Sequence, residues 1–242
     1  MNLVIDIGNT RIKYGFFEGK KLLSSKTANT IFDIQPTSNI DYCIISSVKK
    51  IETEAITYLK TFSSKMIYQW DNLLYPFINK YQTKATLGQD RIALVCAGLV
   101  KYPNHNILII DMGTCITYDF IDASNTYHGG AISPGLNTRY KALNAFTGKL
   151  PLVKHPEKSA IKLTGNSTEQ SILSGVYHGI LFEIKGFIEQ YESLYKNLTI
   201  IMTGGDSKLF DLEQKNLIFA DENFLLTGIN ELLLYNIENK II

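Results

Sequence analysis

The chain has 242 residues, 45% apolar and 19% charged, with 24 basic side chains against 23 acidic ones. That composition excludes a disordered chain and leaves room for one large domain or two lobes, each with its own core. A net charge of +1 gives no general electrostatic reason to expect nucleic acid or an anionic membrane as a partner, although a few backbone N–H groups and one lysine suffice to hold a phosphate.

No apolar run approaches the ~20 residues that a membrane span needs. Met1 leads directly into a strand-like segment without a basic and apolar leader pattern, so a cytoplasmic protein is the expectation. Cys43, Cys96 and Cys115 are widely spaced in apolar runs and read as buried free thiols of a reducing compartment. His105, His128, His155 and His178 show no metal-ligand spacing.

The first predicted strand, Asn2 to Asp6, ends in an acid and a Gly-Asn turn. Arg11 to Glu18 alternates as a strand, Glu18-Gly19-Lys20 turns, and Lys21 to Lys26 forms a third strand, giving an antiparallel meander. Tyr42 to Ser46 is a buried strand, Ile51 to Phe62 carries helical spacing, and Lys65 to Tyr68 is another short strand. Leu87 to Leu99 reads as a helix. The opening pattern then recurs: an apolar strand from Asn106 to Asp111, a Gly-Thr turn, a strand from Cys115 to Ile121, and a third strand that ends at Gly129 to Gly135. Helices are expected over Leu136 to Phe146 and Ser167 to Tyr195, then a strand over Leu198 to Met202 and a helix from about Asn223 to Ile237. The two halves, 1–105 and 106–242, each open with strand, acidic turn, strand, turn, strand, which is a duplication of about 105 residues rather than a short-period solenoid. The fold class is α/β with mixed sheets, its two lobes flanking a cleft.

The two acidic turns carry the first chemistry. Gly8 and Gly113 permit close backbone approach and unusual φ. Successive N–H groups and the Thr10 and Thr114 hydroxyls can donate to phosphate oxygens. Asp6 and Asp111 would be repelled by phosphate and are better suited to hold a cation or its water shell against it. Lys13 adds a point charge. One such turn is equally readable as a plain hairpin; two copies half a chain apart resemble the actin-like ATPase superfamily, a duplicated ribonuclease H-like fold in which both turns face a central nucleotide cleft. Gly88-Gln89-Asp90-Arg91 opens a helix, where Asp90 reads locally as a cap with a solvated arginine, or as the base that takes a proton from a substrate hydroxyl.

The segments DIGNTRIK, LGQDR, DMGTCITYD, GGAISPGL and TGKLP stand in the order and spacing of the type III pantothenate kinases, a resemblance that runs through nearly the whole chain and includes Gly165-Asn166-Ser167-Thr168 and Thr203-Gly204-Gly205-Asp206. The resemblance implies ATP-dependent phosphorylation of pantothenate to 4'-phosphopantothenate, the first step of coenzyme A synthesis. It further implies a monovalent cation (potassium or ammonium), a divalent cation such as magnesium, and a homodimer whose interface lies in the C-terminal half. By the same resemblance, Asp6, Ile7, Gly8, Asn9, Thr10, Arg11, Ile12, Lys13 and Thr114 line the nucleotide phosphates and Asp111 holds the monovalent cation. Asp90 is the general base, and Tyr81, Gly88, Gln89, Asp90, Arg91 and Thr168 contact pantothenate. Cys115 stands where the family most often has alanine, a small apolar exchange.

Gly129 to Gly135 reads as structural, with Gly-Gly ending a strand tightly and Pro134 in the first turn of the next helix. Thr203 to Asp206 reads either as an adenosine-side loop or as a strand-to-helix turn capped by Asp206. The apolar faces with Ile172, Val176, Ile180, Phe182, Ile184 and Phe187 suit a dimer interface or internal packing. Another small-molecule kinase of the superfamily, and a non-catalytic nucleotide-binding regulator, are the competing functions. The second would be expected to lose Asp90 or a phosphate turn, and both are intact.

Overall fold

The computed structural model describes residues 1–36, 38–63, 65–156, 161–210, 212 and 216–242. Eleven strands and five α-helices occur among them: β1 (Asn2–Ile7), β2 (Ile12–Glu18), β3 (Lys21–Ala28), β4 (Tyr42–Ser47), α1 (Thr53–Lys60), β5 (Met66–Ile67), β6 (Ile78–Asn79), α2 (Gln89–Lys101), β7 (Asn106–Met112), β8 (Cys115–Ile121), β9 (Thr126–Pro134), α3 (Leu136–Ala145), α4 (Thr168–Leu194), β10 (Leu198–Thr203), β11 (Leu217–Phe219) and α5 (Phe224–Glu238). The chain forms two compact units. The first holds Met1–His105, Ile121–Gly129 and Asp221–Ile242; the second holds Asn106–Phe120 and Gly130–Ala220. α5 and the segment 121–129 are grouped with the first unit.

In the first unit the strands are ordered β3-β2-β1-β4-β5. β1 and β2, and β2 and β3, pair antiparallel, as the meander predicts; β4 and β5 continue in parallel. Because β1 is packed on both faces, it reads as a continuous apolar run. Leu3, Ile5 and Ile7 join Ile45, Ala55 and Leu59 in a core under α1. The alternate residues Val4 and Asp6 point to the opposite face, where α5 lies: a side chain on Gly15, the partner of Val4, would come within 3.3 Å of Leu226. The helices α5 and α2 cross at close range, since a Cβ on Gly228 would stand 1.9 Å from the Ala93 carbonyl oxygen. That approach fixes α2, and with it the segment that begins at Gly88.

The second unit repeats the strand order as β9-β8-β7-β10-β11, and β6 adds beyond β9 through a pairing made inside the first unit. β10 runs parallel to both β7 and β11, as β4 does to β1 and β5. The duplication is therefore one of topology and not only of motif. Here Leu108, Ile110 and Met112 of β7 pack with Ile172, Val176, Ile180, Ile184 and Ile188 of α4. Most of the α4 face considered for an interface is thus core of its own unit; Phe187 stacks on Tyr118 at 4.0 Å, and Phe182 is exposed.

Three local expectations are corrected. Cys115 is exposed, unlike Cys43 and Cys96, because it is the first residue of β8 beside the turn. Gly129 and Gly130 do not end a strand: β9 runs through them to Pro134, and Gly130 is there because a Cβ would meet the Tyr118 carbonyl oxygen at 1.5 Å. Pro134 accordingly closes β9, with Gly135 as the N-cap of α3. Sequence periodicity did not reveal β6 and β11, which are two and three residues long and too short for a repeat to register.

Candidate active site

Asp6 and Ile7 end β1, Gly8 to Arg11 form the turn, and Ile12 and Lys13 begin β2. The turn is closed by the Gly8 N–H donating to the Arg11 carbonyl at 3.1 Å. Neither Gly8 nor Gly113 has a positive φ; a Cβ on Gly8 would come within 3.3 Å of the Arg11 carbonyl oxygen, whereas one on Gly113 would stand at an ordinary 3.8 Å from the Cys115 carbonyl oxygen. Strand register places Lys13 on one side of Asp6 and Ser46 on the other. Burial, with Asp90 next in importance, pushes the Asp6 carboxyl up to about 7, while Ser46 and Lys13 pull it down. Lys13 is itself held below the ordinary lysine value, first by burial, and its Nζ donates to the Glu222 carbonyl.

Sequence reading missed Lys49, whose Nζ donates to the Asn9 carbonyl at 2.9 Å. The signal lies in the pairing: β4 runs parallel to β1 with Ser47 opposite Ile7, so the residues after Ser47 emerge beside the turn from Gly8 to Arg11. The Val48 N–H, donating to the Ile7 carbonyl at 3.3 Å, keeps them there.

Asp90 lies in the first turn of α2, where an acid suits the positive end of the helix. The N-cap is Gly88, not Asp90, and the Asp90 carboxylate accepts from the Arg91 N–H at 2.8 Å. A Cβ on Gly88 would stand 2.3 Å from the same carboxylate oxygen, so glycine makes room for the acid. The Gln89 side chain braces the neighbouring loops, accepting from the Ser47 N–H at 2.9 Å and donating to the Tyr68 carbonyl. Arg91 is buried with its guanidinium carbon 5.4 Å from the centre of the Tyr81 ring. The first unit therefore gathers Asp6, Lys13, Asp90, Arg91 and Tyr81.

Asp111, Thr114 and Thr168 belong to the second unit. Asp111 is half-buried on the face of β7 opposite Leu108, Ile110 and Met112. Against it lies Gly204, at φ +92; a Cβ there would stand 2.5 Å from the Asp111 carboxylate and 2.4 Å from the Met112 carbonyl oxygen. The Thr203–Asp206 segment is thus a tight turn into a 3-10 turn over Ser207–Leu209, with Asp206 at the cap position but making no side-chain cap bond. Thr114 is exposed, and its carbonyl accepts from the Gly135 N–H at 3.0 Å and the Thr138 hydroxyl at 2.7 Å. Thr168 is the first residue of α4, after the Ser167 N-cap, whose hydroxyl accepts from the Gln170 N–H. With Arg139, Leu143, Phe146, Ile172 and Val176 it lines a cavity of about 1190 Å³. Among the described residues no group of three His, Cys, Asp or Glu side chains could hold a metal ion, and no helix is long and apolar enough to cross a membrane.

Comparison with known proteins agrees with this geometry. Among solved structures, the chain superposes on a conserved putative Baf family transcriptional activator from Campylobacter jejuni with a TM-score of 0.66 at 21% identity, covering 99% of this chain and 100% of the other. It also superposes on a putative 2-dehydro-3-deoxygalactonokinase from Sinorhizobium meliloti (0.57, 10%, 98% and 99%). A third match is the activator of the 2-hydroxyisocaproyl-CoA dehydratase from Clostridium difficile with bound ADPNP (0.53, 12%, 100% and 97%). At such identities they establish the fold, the two-lobed α/β architecture of the actin-like ATPases and sugar kinases. Sequence relatives go further. The type III pantothenate kinase of Christiangramia forsetii is 47% identical over 98% of this chain and 99% of its own length. Those of Flavobacterium johnsoniae and Phocaeicola vulgatus are 40% and 41% identical, over 99% and 98% of this chain and 100% and 99% of their own. The profile of the type III pantothenate kinases matches residues 2–190. With the two acidic turns, the Asp90 helix and this extent of likeness, the chain belongs to the type III pantothenate kinase family.

Proposed function

We propose that the protein transfers the γ-phosphoryl group of ATP to the primary hydroxyl of pantothenate, giving 4'-phosphopantothenate in the first step of coenzyme A synthesis. The carrying observation is Asp90: a carboxylate fixed by the Arg91 N–H over a glycine that leaves it room, at the start of a helix and beside the Asp6 turn. As general base it accepts the hydroxyl proton, and the pantothenate oxygen attacks the γ-phosphorus in line. The turn from Asp6 to Lys13 cradles the phosphates, and Thr114 adds a contact. Tyr81, Arg91, Thr168 and the backbone from Gly88 to Gln89 hold pantothenate. Little covalent chemistry is required of the protein, so positioning carries the rate.

Two cations belong to this reading. The half-buried Asp111 carboxylate is an oxygen ligand of the kind that a potassium or ammonium ion takes. Asp6, half-buried, with its carboxyl raised first by burial and then by Asp90, is placed to hold a magnesium ion or its water shell. Bound there, the cations would supply charge neutralisation for the transferring group. The two halves, 1–105 and 106–242, each contribute one acidic turn, and exposed Phe146, Leu152 and Phe182 of the second half suit a homodimer interface in a cytoplasmic enzyme.

A coupled ADP-release assay tests the proposal, run with pantothenate and with other small alcohols, each with and without potassium or ammonium. Pantothenate-dependent ADP that rises with the cation is expected. Turnover with another acceptor alone would leave a kinase and remove pantothenate.

A further inference from the structure

Tyr81 is held by more than its own segment. Ile78 and Asn79 of β6 pair with Thr126 and Tyr127. The Ile78 N–H donates to the Asn125 carbonyl at 2.9 Å, and the Lys80 N–H to the Tyr127 carbonyl at 3.0 Å. This ladder fixes the register, so Tyr81 arrives over Tyr127 and Gly129, which share one face of β9 by the strand's period of two. The Tyr127 ring is fully buried and stacks on Tyr81, with centroids 6.2 Å apart and planes 27° apart. Phe77 meets the Tyr127 ring edge-on at 5.8 Å. Gly129 has φ +92, and a Cβ on it would reach within 2.9 Å of Tyr81 Cδ2. Asp122 pins the start of the strand, accepting from the Thr126 N–H at 3.0 Å and lying 2.7 Å from His128 Nε2. Arg91 completes the column on the Tyr81 ring.

We infer that Tyr127 and Gly129 are positioning residues for the acceptor: together they set the plane of Tyr81, and through that ring the guanidinium of Arg91, next in sequence to Asp90. The inference rests on the pantothenate kinase reading in one respect, that Tyr81 and Arg91 face the acceptor. A ring already pinned between a second ring and a cation has lost its rotamer freedom before substrate arrives, so less ordering is left to oppose binding. Gly129 is required because any side chain there would displace Tyr81. The consequence is specific to acceptor affinity, since both residues bear on the Tyr81 ring, and through it on Arg91.

The test is steady-state kinetics of the full chain carrying Tyr127→Leu, Tyr127→Phe, Gly129→Ala or Tyr81→Ala, and of the double variant Tyr81→Ala with Tyr127→Leu. Tyr127→Leu and Gly129→Ala should raise KM for pantothenate about tenfold, with KM for ATP and kcat within about twofold. Tyr127→Phe, which keeps the ring, should behave as wild type. Tyr127→Leu should add nothing in the Tyr81→Ala background. An unchanged pantothenate KM, a parallel rise in both KM values, or an additive loss in the double variant would overturn the inference. Tyr127→Leu opens a buried cavity and Gly129→Ala strains a backbone at φ +92; should circular dichroism find both unfolded, Tyr127→Met, which refills most of the space without a ring, carries the same expectation. Wild-type protein without pantothenate turnover removes the functional reading and this inference with it, whereas normal wild-type turnover with unresponsive variants removes this inference alone.

Discussion

The two acidic turns have the same sequence pattern and the same place in their sheets, yet they are built in different ways. The first is an electrostatic device. Lys13 and Lys49 reach it, Asp6 is half-buried there with its carboxyl raised to about 7, and Gly8 is only lightly confined, its Cβ position 3.3 Å from the Arg11 carbonyl oxygen. The second is clasped by backbone. A Cβ on Gly135 would stand 2.1 Å from the Gly113 carbonyl oxygen, and Gly204 presses on Met112 and Asp111 from the other side. One turn thus adapts its charges to a ligand, while the other offers a rigid frame for a carboxylate. Duplication preserved the strand order and let the surroundings diverge.

In the proposed reaction neither turn supplies the base, and the largest expected effect tests that division. Asp90→Asn should keep ATP binding, measured by calorimetry, and lower kcat by about 10³-fold, in the range that general bases contribute. A near-normal kcat would return the base role to one of the turns. Next comes the contrast in packing. Gly204→Ala and Gly135→Ala should each destabilise the fold by about 3 kcal/mol in urea titrations, since backbone must move in both cases and Gly204 also has a positive φ. Gly8→Ala should cost less than about 1 kcal/mol, because a few tenths of an ångström of movement relieves its one close contact. Equal losses at the three positions would erase the distinction between the frames.

Much of this was legible in the residues. The apolar strand with a terminal acid is a short-range pattern, and it located β1, β7 and both turns; helical spacing placed Asp90 at the head of α2, where its candidacy as a base came from the family resemblance alone. What stayed hidden depends on pairing between distant segments. Lys49 gains its place only because β4 lies parallel to β1, and Tyr127 only because β6 joins β9. Gly129 and Gly130 looked like a strand terminus, yet each is needed for a neighbour on another segment, Tyr81 and Tyr118. Cys115 looked buried from the apolar residues that follow it, although a strand's first residue beside a ligand turn can face solvent. Periodicity reports which face a residue takes; it does not report what that face meets.

The smallest expected effect separates the turns by pH. Asp6 has a folded-state pKa of about 7 against 3.8 unfolded, with burial as the main cause, so the folded state binds the extra proton between those values. Its contribution is therefore most favourable below about pH 4, falls as pH rises through the folded pKa, and is level above it. Raising that carboxyl from 3.8 to about 7 corresponds to about 4 kcal/mol at most, and entry of water with movement of the Lys13 ammonium on ionisation reduces this to about 2 kcal/mol. Asp6→Asn has no such titration. In urea titrations without nucleotide and with chelator present, the variant should gain about 2 kcal/mol on the wild type between pH 4.5 and pH 8. The same variant should lose phosphoryl transfer, so a stabilising exchange at this turn would be an inactivating one. A stability difference that does not change with pH would mean that Asp6 ionises freely where it lies, and the first turn would then be no more strained electrostatically than an ordinary hairpin.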